Sequence, residues 1–139
     1  MNETDREGAI RILCMRGLPR SGKSTVAKRI SERFGHPVVS RDAIRLSVHG
    51  TAYLESEEEM VSYIEENMVQ ALAYAGHECI ILDECNVDAV KAEAIVRGWF
   101  DTTKFDVTVE FAIVDVPADV CRERATECGQ LYLLPVIDR

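Results

Sequence analysis

The stretch RGLPRSGKST, residues 16–25, constrains this chain more than any other feature, because it separates the apolar run AIRILCM from the helical pattern VAKRISERFG. Gly17, Gly22, Lys23 and Ser24 match the spacing GxxxxGK[ST]. A strand that feeds such a turn and then a helix forms a phosphate cradle. The glycines let backbone N–H groups turn inward, and the helix presents its positive end to the anion. In that cradle Gly17, Ser21 and Gly22 surround the phosphates of ATP and Lys23 reaches the β and γ groups, while Arg20 reaches the γ phosphate or the acceptor, or points to solvent. Thr25 donates to the α phosphate and Ser24 ligates Mg²⁺.

The rest of the chain repeats the same alternation. Short apolar runs separated by helical patterns are the mark of parallel strands joined by crossover helices. With 139 residues, 47% of them hydrophobic, the expectation is one compact α/β domain spanning 1–139. The first strand is expected near 10–15, followed by a helix over 22–34 that Gly35 closes. HPVVS forms a short second strand, and RDAIRLSV a short helix ending near Gly50. CIILD, continuously apolar, suits a central strand covered on both faces, whereas DVTVEFAIVD alternates as an edge strand does. DAVKAEAIVRGWF lies between them as a helix, with Trp99 a packing residue, and a last helix covers 118–127.

In the longest helix, Ser56 and Glu59 have the spacing of a capping box. Met60, Ile64, Met68 and Leu72, with Val61 and Ala71, mark its buried face, which assigns the methionines to the core. Glu55, Glu57, Glu58, Glu59, Glu65 and Glu66 then read as a solvated face.

The formal net charge of −8 disfavours a protein that coats nucleic acid non-specifically, while leaving room for a local basic cleft. The polar, acidic start MNETDREG lacks the basic and apolar regions of a signal peptide. No apolar stretch is long enough to span a bilayer, so a soluble, cytoplasmic protein is expected. Cys14, Cys79, Cys85, Cys121 and Cys128 form no CxxC pair and read as buried or incidental thiols. His36, His49 and His77 have no partners at ligand spacing.

Two further elements end at the carboxyl edge of a parallel sheet, where ligands gather. Asp83 terminates CIILD and is placed to hold Mg²⁺ or its water; the next residue, Glu84, is where many P-loop ATPases position an attacking water. Asp42 and Arg45 follow the second strand and, three apart on a helix, share a face. Transfer to an alcohol calls for a base and a cation that fixes the acceptor, and this pair supplies one of each. By spacing alone, an Asp that caps a helix beside an exposed Arg fits as well.

Taken together, GLPRSGKST, SRDAIR, ILDECN and DVPADVCRERA resemble, in order and separation over nearly the whole chain, the 5′-kinase domain of bacteriophage polynucleotide kinase and its small P-loop relatives. The resemblance implies an adenylate-kinase-like P-loop NTPase fold, a parallel sheet of about four strands in the order 2-3-1-4 flanked by helices. It implies Asp42 as general base and Arg45 as the clamp on the acceptor's phosphate. Arg124, with Arg122 sharing its work, stands on a lid over ATP. There are three departures: Arg20 inside the loop where relatives carry a small residue, Cys128 where the phage enzyme has a second lid arginine, and an end at Arg139 where relatives continue through another helix.

The expected activity is Mg-ATP-dependent transfer of the γ-phosphate to a hydroxyl of a nucleic acid, a 5′-OH end first, with oligomeric state unassigned. A hydroxymethylated base, a nucleoside or another small alcohol is the second acceptor class, since related kinases differ mainly in this pocket. The third reading is an ATPase or nucleotide-gated interaction protein that uses Glu84.

Overall fold

The computed structural model describes residues 8–17, 22–50, 54–83, 88–114 and 117–127. Arg20, Ser21, Glu84, Cys85, Cys128 and the closing GQLYLLPVIDR lie outside them.

Four strands, β1 (Gly8–Arg16), β2 (Val38–Ser40), β3 (Cys79–Asp83) and β4 (Phe105–Ile113), form a sheet in the order β2-β3-β1-β4, all neighbours parallel. The helices are α1 (Lys23–Phe34), α2 (Arg41–His49), α3 (Glu58–Tyr74), α4 (Ala89–Gly98) and α5 (Ala118–Glu127), with a 3-10 turn at Glu55–Glu57. This is the α/β architecture and strand order expected of a P-loop kinase. No helix among the described residues is long and apolar enough to cross a membrane.

The sheet is covered on both faces. Ile10, Ile12, Cys14, Val39, Ile80 and Leu82 face α3 and α4, meeting Val61, Val69, Ala73 and Val96. Met15 and Ile81 turn the other way, onto Ala27 of α1 with Val26 and Ile30 beside it. Ile80, Ile81 and Leu82 are fully buried. Full burial of one such side chain stabilises by about 1.5–3 kcal/mol, which makes β3 the spine of the sheet. Edge strand β4 alternates buried Phe105 and Val107 with exposed Asp106 and Thr108. Cys14, Cys79 and Cys121 are buried, and Trp99 is half-buried against the core.

Helix α3 departs from its expected phase. Its buried row is Val61, Glu65, Val69 and Ala73, while Met60 and Met68 remain 38% and 40% exposed. Ile64 and Leu72 pack against the core from its flank, and Ala71 is exposed. The two i, i+4 rows are neighbours on one helix, and the glutamate in the second hides it from a hydrophobicity pattern. The capping box is also absent: Ser56 sits inside the 3-10 turn, where Glu57 donates its N–H to the Leu54 carbonyl at 2.9 Å, and α3 begins after Glu57 with no side-chain cap. Extending the helical turn upstream removes the extended backbone that a capping serine needs. Nor are the glutamates one solvated face, since Glu65 is 2% exposed and Glu58 half-buried.

Candidate functional site

Helix α1 begins at Gly22, whose φ of 98° lies in the left-handed region that glycine adopts without strain. No side chain caps this end and the first turn carries no acidic residue, so its N–H groups and the positive end of the helix dipole stay available. Among the described residues Gly22, Lys23, Ser24 and Thr25, together with Arg124 of α5, line an open cleft of about 280 Å³. Helix α5 is seated by Cys121, which is fully buried; burial pushes its thiol pKa up, against the pull of the Arg124 and Lys23 cations. The structure therefore brings Arg124 and the first turn of α1 to one cleft. Arg122 is exposed on the same helix but is not among the described residues lining the cleft.

Gly17 follows β1 directly, so the loop leaves the sheet at its carboxyl edge. Asp83 closes β3 at the same edge, in register with Met15 on one side and Ser40 on the other. Its Oδ1 is buried and has no hydrogen-bond partner among the described residues. An orphaned carboxylate oxygen is costly, and a cation or its water satisfies it. Among the described residues no group of three or more His, Cys, Asp or Glu side chains could hold a metal ion. One carboxylate and one hydroxyl, Asp83 and Ser24, suit Mg²⁺, which keeps most of its waters and shares substrate phosphates.

The register that pairs Ser40 with Asp83 also carries α2 to this edge. Ser40 has extended backbone and accepts a hydrogen bond from the Ala43 N–H at 3.2 Å, so Ser40 is the N-cap of α2. That removes the helix-cap reading of Asp42. Asp42 stands in the first turn, its side chain 78% exposed, and accepts from Arg45 Nη1 at 2.7 Å. Sequence spacing had placed the two on one face, and they meet there.

Three participants were missed in the sequence. Arg45 also donates through Nε and Nη2 to Glu58 Oε2 and Oε1, at 2.9 and 2.5 Å. Glu58 Oε1 accepts in addition from Arg41 Nη2 at 3.1 Å, and Arg41 Nη1 donates to Glu65 Oε1 at 2.9 Å. Arg41 Nη2 reaches Ser62 Oγ as well. The two carboxylates hold the Arg45 guanidinium well above its ordinary pKa, Glu58 being the larger influence, and the arginines hold the Glu58 carboxyl below the usual carboxylate range against its burial. The available signal was RDxxR with Glu58 and Glu65 two helical turns apart downstream, but nothing local links residues 13 to 24 positions apart.

Among solved structures, chains of the Pnkp1/Rnl/Hen1 complex superpose on this one. One is 25% identical with a TM-score of 0.69, covering 83% of this chain and 38% of that chain. Another, from the Pnkp1/Rnl/Hen1 RNA repair complex, is 21% identical with a TM-score of 0.68, covering 93% and 45%. The chain thus spans less than half the length of either. The APS kinase CysC of Mycobacterium tuberculosis, in complex with AMPPNP and APS, has the same fold at 19% identity and a TM-score of 0.65, covering 87% and 71%. No curated protein matches the chain significantly. The family model described as "AAA domain" matches residues 12–127, and on that match, with the parallel 2-3-1-4 sheet of P-loop kinases behind it, the chain belongs to the AAA domain family.

Proposed function

We propose that this protein transfers the γ-phosphate of Mg-ATP to a hydroxyl of a nucleic acid, a 5′-OH end first. The observation that carries this reading is the exposed Asp42 carboxylate paired with Arg45 at the sheet edge from which the phosphate loop also leaves, with helix capping already performed by Ser40. A base beside a cation on an element other than the phosphate loop is what an acceptor alcohol carrying its own phosphate calls for. The likeness over 93% of this chain to a component of an RNA repair complex supports a nucleic acid as that acceptor.

The residues divide by role. Gly17, Arg20, Ser21, Gly22 and Thr25 hold the triphosphate with backbone and hydroxyl donors, and Lys23 neutralises the β and γ oxygens. Ser24 and Asp83 hold Mg²⁺, which when bound withdraws charge from the same oxygens. Arg124, with Arg122 nearby on α5, stabilises charge on the transferring group. Asp42 accepts the hydroxyl proton while Arg45 grips a phosphate beside that hydroxyl.

A small-alcohol acceptor is the second reading, favoured by the shared fold of the APS kinase. Labelled γ-phosphate supplied with 5′-OH DNA, 5′-OH RNA, hydroxymethylpyrimidine DNA, nucleosides and small alcohols separates the readings. Label on 5′ ends supports the proposal; label on a small alcohol alone, or release of phosphate with no acceptor, overturns it.

A further inference from the structure

Asp42, Arg45, Glu58, Arg41 and Glu65 form one chain of alternating charge that runs from a 78% exposed carboxylate to a glutamate 2% exposed in the core. Such a chain has a fixed end and a free end. Glu65 is buried among the inward row of α3, and Arg41 is tied to both Glu65 and Glu58, so Glu58 is held from behind. Glu58 in turn takes two edges of the Arg45 guanidinium, Nε and Nη2, in a bidentate fork. Planar bidentate contacts set orientation as well as strength. Asp42 meets the same guanidinium through Nη1.

We infer that Glu58, anchored through Arg41 to Glu65, is the positioning residue of the acceptor site: it fixes the plane of Arg45 and confines anion exchange to the side that Asp42 occupies. An arriving phosphate then competes with Asp42, not with Glu58, and its arrival frees the base as the acceptor is gripped. The inference rests on the proposed kinase reading for its consequence, but the orientation of Arg45 is a property of the protein alone.

The test therefore has two arms. In the first, the ¹⁵N–¹H signal of Arg45 Nε is followed in the free protein. Wild type should show slow exchange with solvent, and Glu58→Gln exchange at least about tenfold faster, because the bidentate fork is lost. Unchanged exchange overturns the inference. In the second arm, Glu58→Ala should raise KM for a 5′-OH oligonucleotide roughly tenfold while KM for ATP stays within about twofold, and Glu58→Gln should fall between Ala and wild type. Equal changes in both KM values mean a merely structural role and also overturn it. If Glu58→Ala does not fold, Arg41→Lys replaces it: one ammonium cannot reproduce the fork that bridges Glu58 and Glu65, and the same selective rise in acceptor KM is expected, smaller in size. Should wild type label no hydroxyl at all, the kinase reading fails by itself, and the exchange arm still decides whether Glu58 sets Arg45.

Discussion

The two halves of the carboxyl edge are organised in opposite ways. Around the phosphate loop the described side chains, Lys23, Ser24, Thr25 and Arg124, line an open cleft, and order resides in the backbone, with Gly22 in a left-handed turn and an uncapped helix end behind it. At α2 and α3 the backbone is ordinary helix with an ordinary serine cap, and order resides in side chains locked by five charged groups. A triphosphate brings several negative charges and organises flexible cations itself, so a donor site needs only a cradle. An acceptor hydroxyl is neutral and weakly held, so its base and clamp must be in place beforehand.

If that contrast is right, the largest loss follows removal of charge from the cradle. Lys23→Ala should abolish phosphate transfer, because it removes the cation that the proposed function places at the β and γ oxygens. Full turnover in that variant, measured with labelled ATP, would sink the donor-site assignment. Next comes Asp42→Asn, expected to cut transfer by roughly 10² or more while ATP binding by calorimetry is unchanged, since the base lies outside the cradle. A crippling Glu84→Gln beside a harmless Asp42→Asn would instead make the protein an ATPase. Arg124→Ala is third: kcat should fall by about 10- to 100-fold and exceed the rise in KM for ATP, the pattern of an interaction made mainly in the transition state. A change in KM alone would leave Arg124 as a binding residue and blur the two halves.

Much of this was legible in the sequence, for physical reasons that differ by element. The central place of CIILD followed from its continuous apolarity, which survives in the structure as a strand buried on both faces, whereas the order 2-3-1-4 came from the family resemblance. The phosphate loop was legible because its chemistry is local, compressed into eight residues of fixed spacing. Asp42 and Arg45 were legible as a pair because one helix carries both. Glu58, Arg41 and Glu65 were not, since an ion pair across two helices leaves no periodic trace and a buried glutamate imitates a polar face. For the same reason the face of α3 was drawn to include Met60, Met68 and Ala71, which are exposed, and to omit Glu65, which is buried, although Val61, Ile64 and Leu72 do meet the core. The capping role that spacing allowed Asp42 is performed by Ser40, one residue before the RDxxR element.

A smaller effect sharpens the division between capping and chemistry. Ser40→Ala removes the hydrogen bond to the Ala43 N–H and should cost about 1 kcal/mol, a fall in Tm of roughly 3–5 °C for a chain of this size. Asp42→Ala, by contrast, should leave Tm nearly unchanged, because its carboxylate is exposed and caps nothing. Thermal melts of the two variants decide it; the reverse order would restore Asp42 as the cap and remove it from the acceptor site.

The smallest effect reads the ion-pair chain through pH. Arg45 first, then Arg41, hold the Glu58 carboxyl below the usual carboxylate range, while its burial opposes them. A group whose pKa is depressed on folding binds its proton more readily in the unfolded chain. Its stabilisation is therefore complete above the unfolded value, near 4.5, and is lost as pH falls through the lower folded value. Wild type should accordingly lose stability across that acid window, and Glu58→Gln should lose less there while being weaker at neutral pH. The difference should amount to about 1 kcal/mol or less, since the pair is partly exposed and screened. Urea unfolding at pH 7 and at several points from about 5 down to 3 measures it. Parallel pH curves for the two proteins would show that Glu58 is not ion-paired in solution, and the claim that side chains order the acceptor half would fall with it.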